Sequence, residues 1–475
     1  MARRTGKPNP TDAFLTGRGE RVSYAVYTFG QLCAYIFIYM FLQIYLTDIG
    51  ISATAVGAIF IAARVWDAVN DPMFGVIVNR GRLKSGKYLP WIRIATALVP
   101  ALTALLFVVP SGLDGRNMVT AAAILYIVWG MSYTICDVPY FSLATMMTDN
   151  LNERNRIIAN ARTLMMVASM VVAIAVPLIY PKIGWTVTGI VIALLTALGM
   201  FPLCLTAKER YREDTQNFPG LREMLSSVIR NKYLLIFCLA FIVAGLTNAS
   251  ASISGYFAIH CLGGPEMMSV MSLISIVPSM AVIALFPVMA RKIDKFYIFM
   301  GSLAFTIILS VPIYFIGYAN IPLFIGLVSL RSIVSTVSSG TILPMFILDC
   351  AEYGRYRSGV DATAISVSLQ TFTNKIYVAI TGATGMFILG AAGFVSGENA
   401  VQPQSAIDML WIMSSILPII GQILSFIILF FWYKLRDKDV EIMAKVNRNE
   451  MTKSESLKYL SGRYSKENKG PQEDI

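Results

Sequence analysis

Twelve stretches of this chain are apolar over the roughly 20 residues that a helix needs to cross a hydrocarbon core, which leaves few folds open. They recur near residues 23–47, 54–79, 90–109, 118–148, 158–181 and 184–205. After a polar gap they resume near 233–258, 266–290, 295–317, 320–348, 362–393 and 405–434. Inside lipid, backbone groups have to be satisfied within their own segment, so such runs form helices. Composition agrees, with 56% hydrophobic and 14% charged residues and a mean hydropathy of +0.63. The expected fold is an all-α membrane protein with twelve transmembrane helices in two six-helix halves.

Basic residues orient the helices. Arg18, Arg21, Arg80, Arg82, Lys84, Lys87, Arg154, Arg156, Lys208, Arg210, Arg212, Arg291, Lys292, Lys295, Arg355, Arg357 and the tail fall on one side, while the opposite loops carry only Arg116 and Lys182. Both termini are therefore expected in the cytoplasm, with the protein a multi-pass component of the plasma membrane. The formal charge of +11 is explained by this pattern and does not point to nucleic acid. Residues 1–22 are polar, and the first spanning helix is expected to act as the insertion signal. The organisation that follows is an N-terminal cytoplasmic segment (1–22), a six-helix bundle (23–206), a central cytoplasmic loop (207–232) and a second bundle (233–434). A cytoplasmic tail (435–475) closes the chain, with a short helix near 440–446 and disorder beyond Ser454. Within the central loop, apolar residues at helical spacing over 219–232 fit a surface amphipathic helix.

The second apolar run contains Arg64-Val65-Trp66-Asp67-Ala68-Val69-Asn70-Asp71-Pro72. Asp67 and Asp71 are four residues apart and share a helix face, with Asn70 close to the same side. A carboxylate at this depth costs about 3 kcal/mol on insertion scales, so the pair is hard to account for unless it binds something. Oxygen ligands suit a hard monovalent cation. Na+ at Asp67 and Asp71, with Asn70 and the Thr134 hydroxyl as further ligands, is the expectation. Li+ and H+ remain alternatives, because two close carboxylates can share a proton.

Other charges lie inside apolar runs: Asp137 in the fourth, Arg162 in the fifth, Arg331 in the tenth and Lys375 in the eleventh. Arg64, Arg162 and Lys375 could balance Asp67, Asp71 and Asp137, and Arg64 with Lys375 would form a coupling network. The structural alternative is a set of buried ion pairs that fix helix packing. The six cysteines are scattered without metal-ligand spacing and read as reduced packing residues, and His260, the only histidine, reads as an interfacial polar residue. No nucleophile–base pair, metal-ligand set or phosphate-binding glycine loop appears, so an enzyme is not expected.

The helix-2 string, followed by Asn79 and Gly86-Lys87-Tyr88-Leu89-Pro90-Trp91, resembles the glycoside–pentoside–hexuronide:cation symporters of the major facilitator superfamily. So do Trp129-Gly130-Met131-Ser132-Tyr133-Thr134-Ile135-Cys136-Asp137-Val138-Pro139, Asp349-Cys350-Ala351-Glu352-Tyr353-Gly354 and Gln370-Thr371-Phe372-Thr373-Asn374-Lys375. The resemblance implies the major facilitator fold and a cation site at Asp67, Asn70, Asp71 and Thr134. It also implies a sugar site near Gln31, Tyr133, Asp137, Phe141, Arg162, Gln370, Thr371 and Lys375. Three positions depart from the family's best-known member: Leu32 replaces a sugar-binding acid, Phe141 a tryptophan and Gly340 an aromatic residue. Arg331 stands where the family pattern carries no charge, and reads an anionic sugar such as a hexuronide, lines water or pairs locally. The function implied is uptake of a glycoside, pentoside or hexuronide coupled to inward movement of Na+, H+ or Li+, with no cofactor and as a monomer. A sodium-linked carrier of lipid-like substrates and a non-transporting membrane sensor are the alternatives.

Overall fold

In the computed structural model, the described residues are 15–80, 86–210, 226, 229–247, 250–338, 342–398 and 400–460. The side chains of Asp71, Pro72, Thr371 and a few other helical residues lie outside that description, as does Gly340. The expected surface helix over 219–232 also lies largely outside it.

Fifteen α-helices make up the described chain: α1 (Arg18–Asp48), α2 (Ala53–Arg80), α3 (Leu89–Val108), α4 (Gly115–Met147), α5 (Leu151–Thr206), α6 (Lys232–Thr247), α7 (Ser250–Cys261) and α8 (Glu266–Ala290). They continue as α9 (Lys295–Ile316), α10 (Ile321–Thr336), α11 (Leu343–Ser358), α12 (Thr363–Ala391), α13 (Gln404–Trp432), α14 (Asp437–Asn447) and α15 (Lys453–Tyr459). Seven of these elements are long and apolar enough to cross a membrane unaided. Elsewhere helices and apolar runs do not correspond one to one. The fifth and sixth runs both lie in α5, which is two helices meeting at Gly184, where φ of 79° departs from helical geometry just after Pro177 and Pro181. The seventh run is shared by α6 and α7. The tenth spans α10 and the start of α11, which opens with Pro344 in its first turn, where a missing N–H costs nothing.

Two compact units result. One comprises Met1–Thr215, Ala258–Ser272 and Met386–Ala406, the other Gln216–Phe257, Leu273–Gly385 and Ile407–Ile475. In the first unit α1 lies along α5, α3 packs on both α4 and α5, and α2 packs on α4. Glycines set the closest approach. A Cβ at Gly30 would stand 2.7 Å from the Thr196 carbonyl oxygen, and one at Gly199 would stand 2.7 Å from the Gly30 Cα. Further along the same pair of helices Phe37, Tyr45 and Trp185 make ring contacts with Phe107 of α3, Phe37 and Phe107 at 4.4 Å between centroids. The turn after α12 also belongs to this unit. The Gln402 side chain closes it by bonding Val395 N–H and O, and Gly397 N–H donates to the Thr47 carbonyl at 2.9 Å while Ser396 Oγ donates to Ile51 O at 2.8 Å.

The second unit is held by an aromatic core in which Phe237, Phe299, Phe346 and Tyr433 meet, with the Arg436 guanidinium 3.6 Å above the Phe296 ring.

Each unit carries a clamp at one end. In the first, the Glu209 carboxylate, just beyond α5, accepts the N–H groups of Lys87, Tyr88 and Leu89 at 2.7 Å each, which are the orphan donors at the start of α3. Gly86, at φ 132°, lets the carboxylate sit this close. In the second unit Asp437, just beyond α13, accepts the Lys295 N–H at 3.0 Å, and its own N–H donates to Asp294 at 2.9 Å. Lys295 Nζ bonds Asp349 at 2.7 Å and Asp437 at 3.4 Å. The tail corrects one expectation. Beyond Ser454 the chain is not disordered at once, because α15 continues to Tyr459. Thr452 and Glu455 form a capping box, and Ser456, fully buried, bonds the Tyr356 hydroxyl at 3.1 Å.

The glycine crossing gives a direct test. Gly199→Ala should cost about 1–3 kcal/mol by overpacking and lower the melting temperature in detergent by several degrees. Gly301→Ala, which meets nothing within 4 Å, should leave melting unchanged or slightly raised.

Candidate functional site

Asp67 is two-thirds covered or more, on the face of α2 that packs on α4. Arg64, one turn earlier, donates from Nη1 to Asp67 Oδ2 at 3.0 Å and from Nη2 to the Tyr126 hydroxyl at 3.2 Å, tying the two helices together. Tyr126 is fixed against Phe60, with ring centroids 4.8 Å apart. The approach of α2 to α4 depends on Gly130. A Cβ there would be 3.1 Å from Asp67 Oδ1, closer than nearly all real contacts, so the glycine leaves room for the carboxylate. Thr134, one turn further along α4 and buried, donates to the Gly130 carbonyl at 3.2 Å. Asp67 thus faces Gly130 across the α2–α4 seam, and Thr134 follows one turn along α4. Two polar atoms there are buried without a hydrogen bond: Arg64 Nε and Asn70 Nδ2. Among the described side chains the seam holds one carboxylate, paired with one guanidinium, beside a threonine hydroxyl and an amide, and oxygens of these kinds are ligands for a small hard cation. Among the described residues no group of three or more His, Cys, Asp and Glu side chains could hold a transition metal.

A second cluster joins α1 and α4. Gln31, fully buried, donates from Nε2 to Asp137 Oδ1 at 2.8 Å and to the Tyr133 hydroxyl at 3.2 Å, and its Oε1 has no hydrogen bond. Tyr133 stacks on Trp129 at 5.2 Å and meets Tyr35 at 5.1 Å. Trp129 is itself anchored, donating from Nε1 to Thr103 at 2.9 Å. A carboxylate, a phenol and an open amide oxygen beside stacked rings can bond hydroxyls while an aromatic face covers C–H surface. Phe141, one turn past Asp137, is about half exposed and meets Tyr140 edge-on.

The expected residues are therefore distributed as follows. Asp67 lies against Gly130 of α4, with Thr134 one turn further along that helix and Asn70 one turn on along α2. Gln31, Tyr133 and Asp137 form their own hydrogen-bonded group. Of the proposed balance of three cations and three acids, the described residues show the pair between Arg64 and Asp67. Among the described residues Asp137 is partnered by the Gln31 amide and not by a cation, and Arg162 lies exposed on α5 without an ion pair. Gln370 and Lys375 are half-buried on α12 in the second unit, and Arg331 is half-buried on α10. Sequence reasoning missed Tyr126 as the second partner of Arg64 and Tyr35 as a wall of the Tyr133 cluster. The small residue Gly130 inside a bulky helical string was the one readable hint of a close approach.

The family model for MFS/sugar transport proteins matches residues 23–437. The chain belongs to that family. Its relatives place this transporter among the glycoside–pentoside–hexuronide symporters of the MFS. It is 28% identical over 433 residues to the uncharacterized symporter YjmB of Bacillus subtilis, covering 88% of this chain and 93% of that protein. It is 26% identical to the glucuronide carrier protein homolog of Escherichia coli, with the same coverage, and 25% identical to the isoprimeverose transporter of Lactiplantibacillus pentosus, covering 90% and 91%. Among solved structures the fold is similar to the nucleoside transporter NupG, at TM-score 0.63, 13% identity and coverage of 87% of this chain and 100% of that one. It is also similar to a D-xylose-proton symporter at TM-score 0.60 and 13% identity, covering 87% and 97%. The transporter is thus an all-helical, multi-pass MFS membrane protein of the sugar-transporting kind, and not an enzyme.

Removing the Gln31 amide should expose the cost of Asp137. Gln31→Leu leaves that carboxylate without its described donor, and a loss of about 1–3 kcal/mol is expected. Thermal unfolding of the purified transporter should show it, with Gln31→Asn intermediate.

Proposed function

We propose that this transporter is a secondary active symporter that couples uptake of a sugar to inward movement of a monovalent cation by alternating access. In this reading twelve helices span the plasma membrane with both termini in the cytoplasm, and the protein works as a monomer. Na+ is the first choice of cation, with Li+ and H+ as alternatives. Asp67, Asn70, Asp71 and Thr134 hold it, and Arg64 sets the position of Asp67. The residues assigned to the sugar are Gln31, Tyr133, Asp137, Phe141, Arg162, Arg331, Gln370, Thr371 and Lys375.

The observation that carries the reading is Asp67, a membrane-embedded carboxylate held 3.0 Å from Arg64 in a seam that Gly130 keeps open. A cation entering there gains a charged ligand, the Asn70 side-chain oxygen and the Thr134 hydroxyl oxygen. Its charge changes the field felt at Tyr133 and Asp137, further along the same helix α4. Binding of cation and sugar then favour each other by the same factor in both directions.

Labelled-sugar uptake into proteoliposomes, with and without a sodium gradient, tests this directly. Wild-type protein should accumulate sugar when the gradient is present and only equilibrate it when absent. Asp67→Asn should lose at least about 10-fold of the gradient-driven rate, equivalent to roughly 1.4 kcal/mol, while inserting normally. Gradient dependence equal to wild type in that variant would overturn the cation assignment. Gly130→Ser, which crowds Asp67 without removing it, should weaken apparent cation affinity more than maximal uptake.

A further inference from the structure

We propose that Tyr35 is a positioning residue that couples the two clusters, transmitting occupation of the Asp67 site to the group around Tyr133 and Asp137 through its ring and its unbonded hydroxyl. The inference rests on the symport reading above and names the residue through which the two sites communicate.

Among the described residues Arg64, Asp67 and Tyr126 exchange no hydrogen bond with Gln31, Tyr133 or Asp137, so the two clusters are bonded separately. Tyr35 touches both. It follows Gln31 by four residues and shares its face of α1. Its ring leans on Tyr133, with centroids 5.1 Å apart and planes tilted by 33°, and lies nearly parallel to Tyr39 at 6.1 Å. Tyr133 is the phenol that Gln31 bonds, so a shift of the Tyr35 ring is felt by the Gln31–Asp137 group. Toward the other cluster, the Tyr35 hydroxyl lies within electrostatic reach of Arg64 and Asp67 as well as of Asp137.

The hydroxyl itself is free. On the same helix the hydroxyls of Tyr24, Tyr27 and Tyr45 each meet a partner, namely the Tyr140 carbonyl, the Cys136 thiol and the Phe107 carbonyl. Among the described residues Tyr35 is held by ring contacts alone, and its side chain is half-buried. A phenol can both donate and accept. With the cation site empty, two carboxylates, Asp67 and Asp137, draw its proton. A cation on Asp67 cancels the pull on that side, and at low effective dielectric this change acts over several ångströms without contact. The proton then turns to the Asp137 side, where a sugar hydroxyl accepts it and gives its own proton to Asp137. The sign of the coupling follows: each ligand favours the other, by one common factor.

The test uses purified full-length protein and reads apparent affinity from ligand-dependent thermal stabilisation. Methyl β-D-glucoside, methyl β-D-xyloside and methyl β-D-glucuronide are titrated in choline, sodium and lithium chloride. The coupling factor is the sugar dissociation constant in choline divided by that in sodium or lithium. Wild type should show a factor of about 5 to 150 for at least one sugar and one cation. Tyr35→Phe, which keeps the ring and loses the hydroxyl, should lower that factor toward one by about 3- to 10-fold, the worth of one hydrogen bond. Tyr35→Leu, which loses the ring as well, should lower it at least as far. A factor equal to wild type in Tyr35→Phe overturns the proposal. So does a loss of sugar affinity that is the same in every salt, which a residue that only lines the site would produce. Should Tyr35→Phe fail to fold, Tyr35→Leu decides by the same ratio. A wild type that no sugar stabilises, or whose sugar affinity neither cation changes, would instead overturn the symport reading, and this proposal with it.

Discussion

The ion pair between Arg64 and Asp67 is the contact on which the functional half of the first unit depends. In water such a pair contributes little, but at low effective dielectric two charges about 4 Å apart attract by roughly 4 kcal/mol, enough to offset the insertion cost of a carboxylate. That attraction holds a carboxylate in the α2–α4 seam, and everything nearby follows from its presence. Gly130 has to be small, Tyr126 has to take the other guanidinium nitrogen, and Phe60 has to hold Tyr126 in place. The compensation is incomplete: Arg64 Nε and Asn70 Nδ2 remain buried and unbonded.

Buried polarity is met in two ways. An amide, a phenol and an acid bond one another across helices, as Gln31 does with Tyr133 and Asp137. Hydroxyls also bond backward to their own helices, as Thr134 does to Gly130 in the first unit and Ser310 to Thr306 and Thr306 to Ser302 in the second, where Ser310 is the described partner of Arg331. Self-satisfied serines make a tolerant lining, because each keeps a lone pair to offer without leaving a donor stranded when nothing is bound.

Much of this was readable in the sequence, and the limits were physical. Apolar run length placed the helices, since lipid allows little else, and the break at Gly184 falls where Pro181 and Lys182 part the fifth run from the sixth. The Arg64–Asp67 pair was legible because both residues lie on one helix at fixed spacing. Gln31 and Asp137 are 106 positions apart, so only the tertiary fold could show that an amide, and not a cation, meets that acid. The tail was misjudged for the opposite reason. Its charge suggested disorder, yet Thr452 and Glu455 formed a local cap and Tyr356 supplied a partner for Ser456 that no local pattern reveals.

The clamps made by Glu209 and Asp437 bear on how the chain is made. The amides at the start of α3 wait for a carboxylate 120 to 122 residues downstream, and the Lys295 amide waits for one 142 residues away. Loop closure over such distances is late and slow relative to helix formation. During synthesis the start of α3 is thus left unfinished until α5 has emerged, and the start of α9 until α13 has emerged. Each clamp then closes only when the segment it spans is complete, and a chain cut short within that segment would leave those amides without their carboxylate.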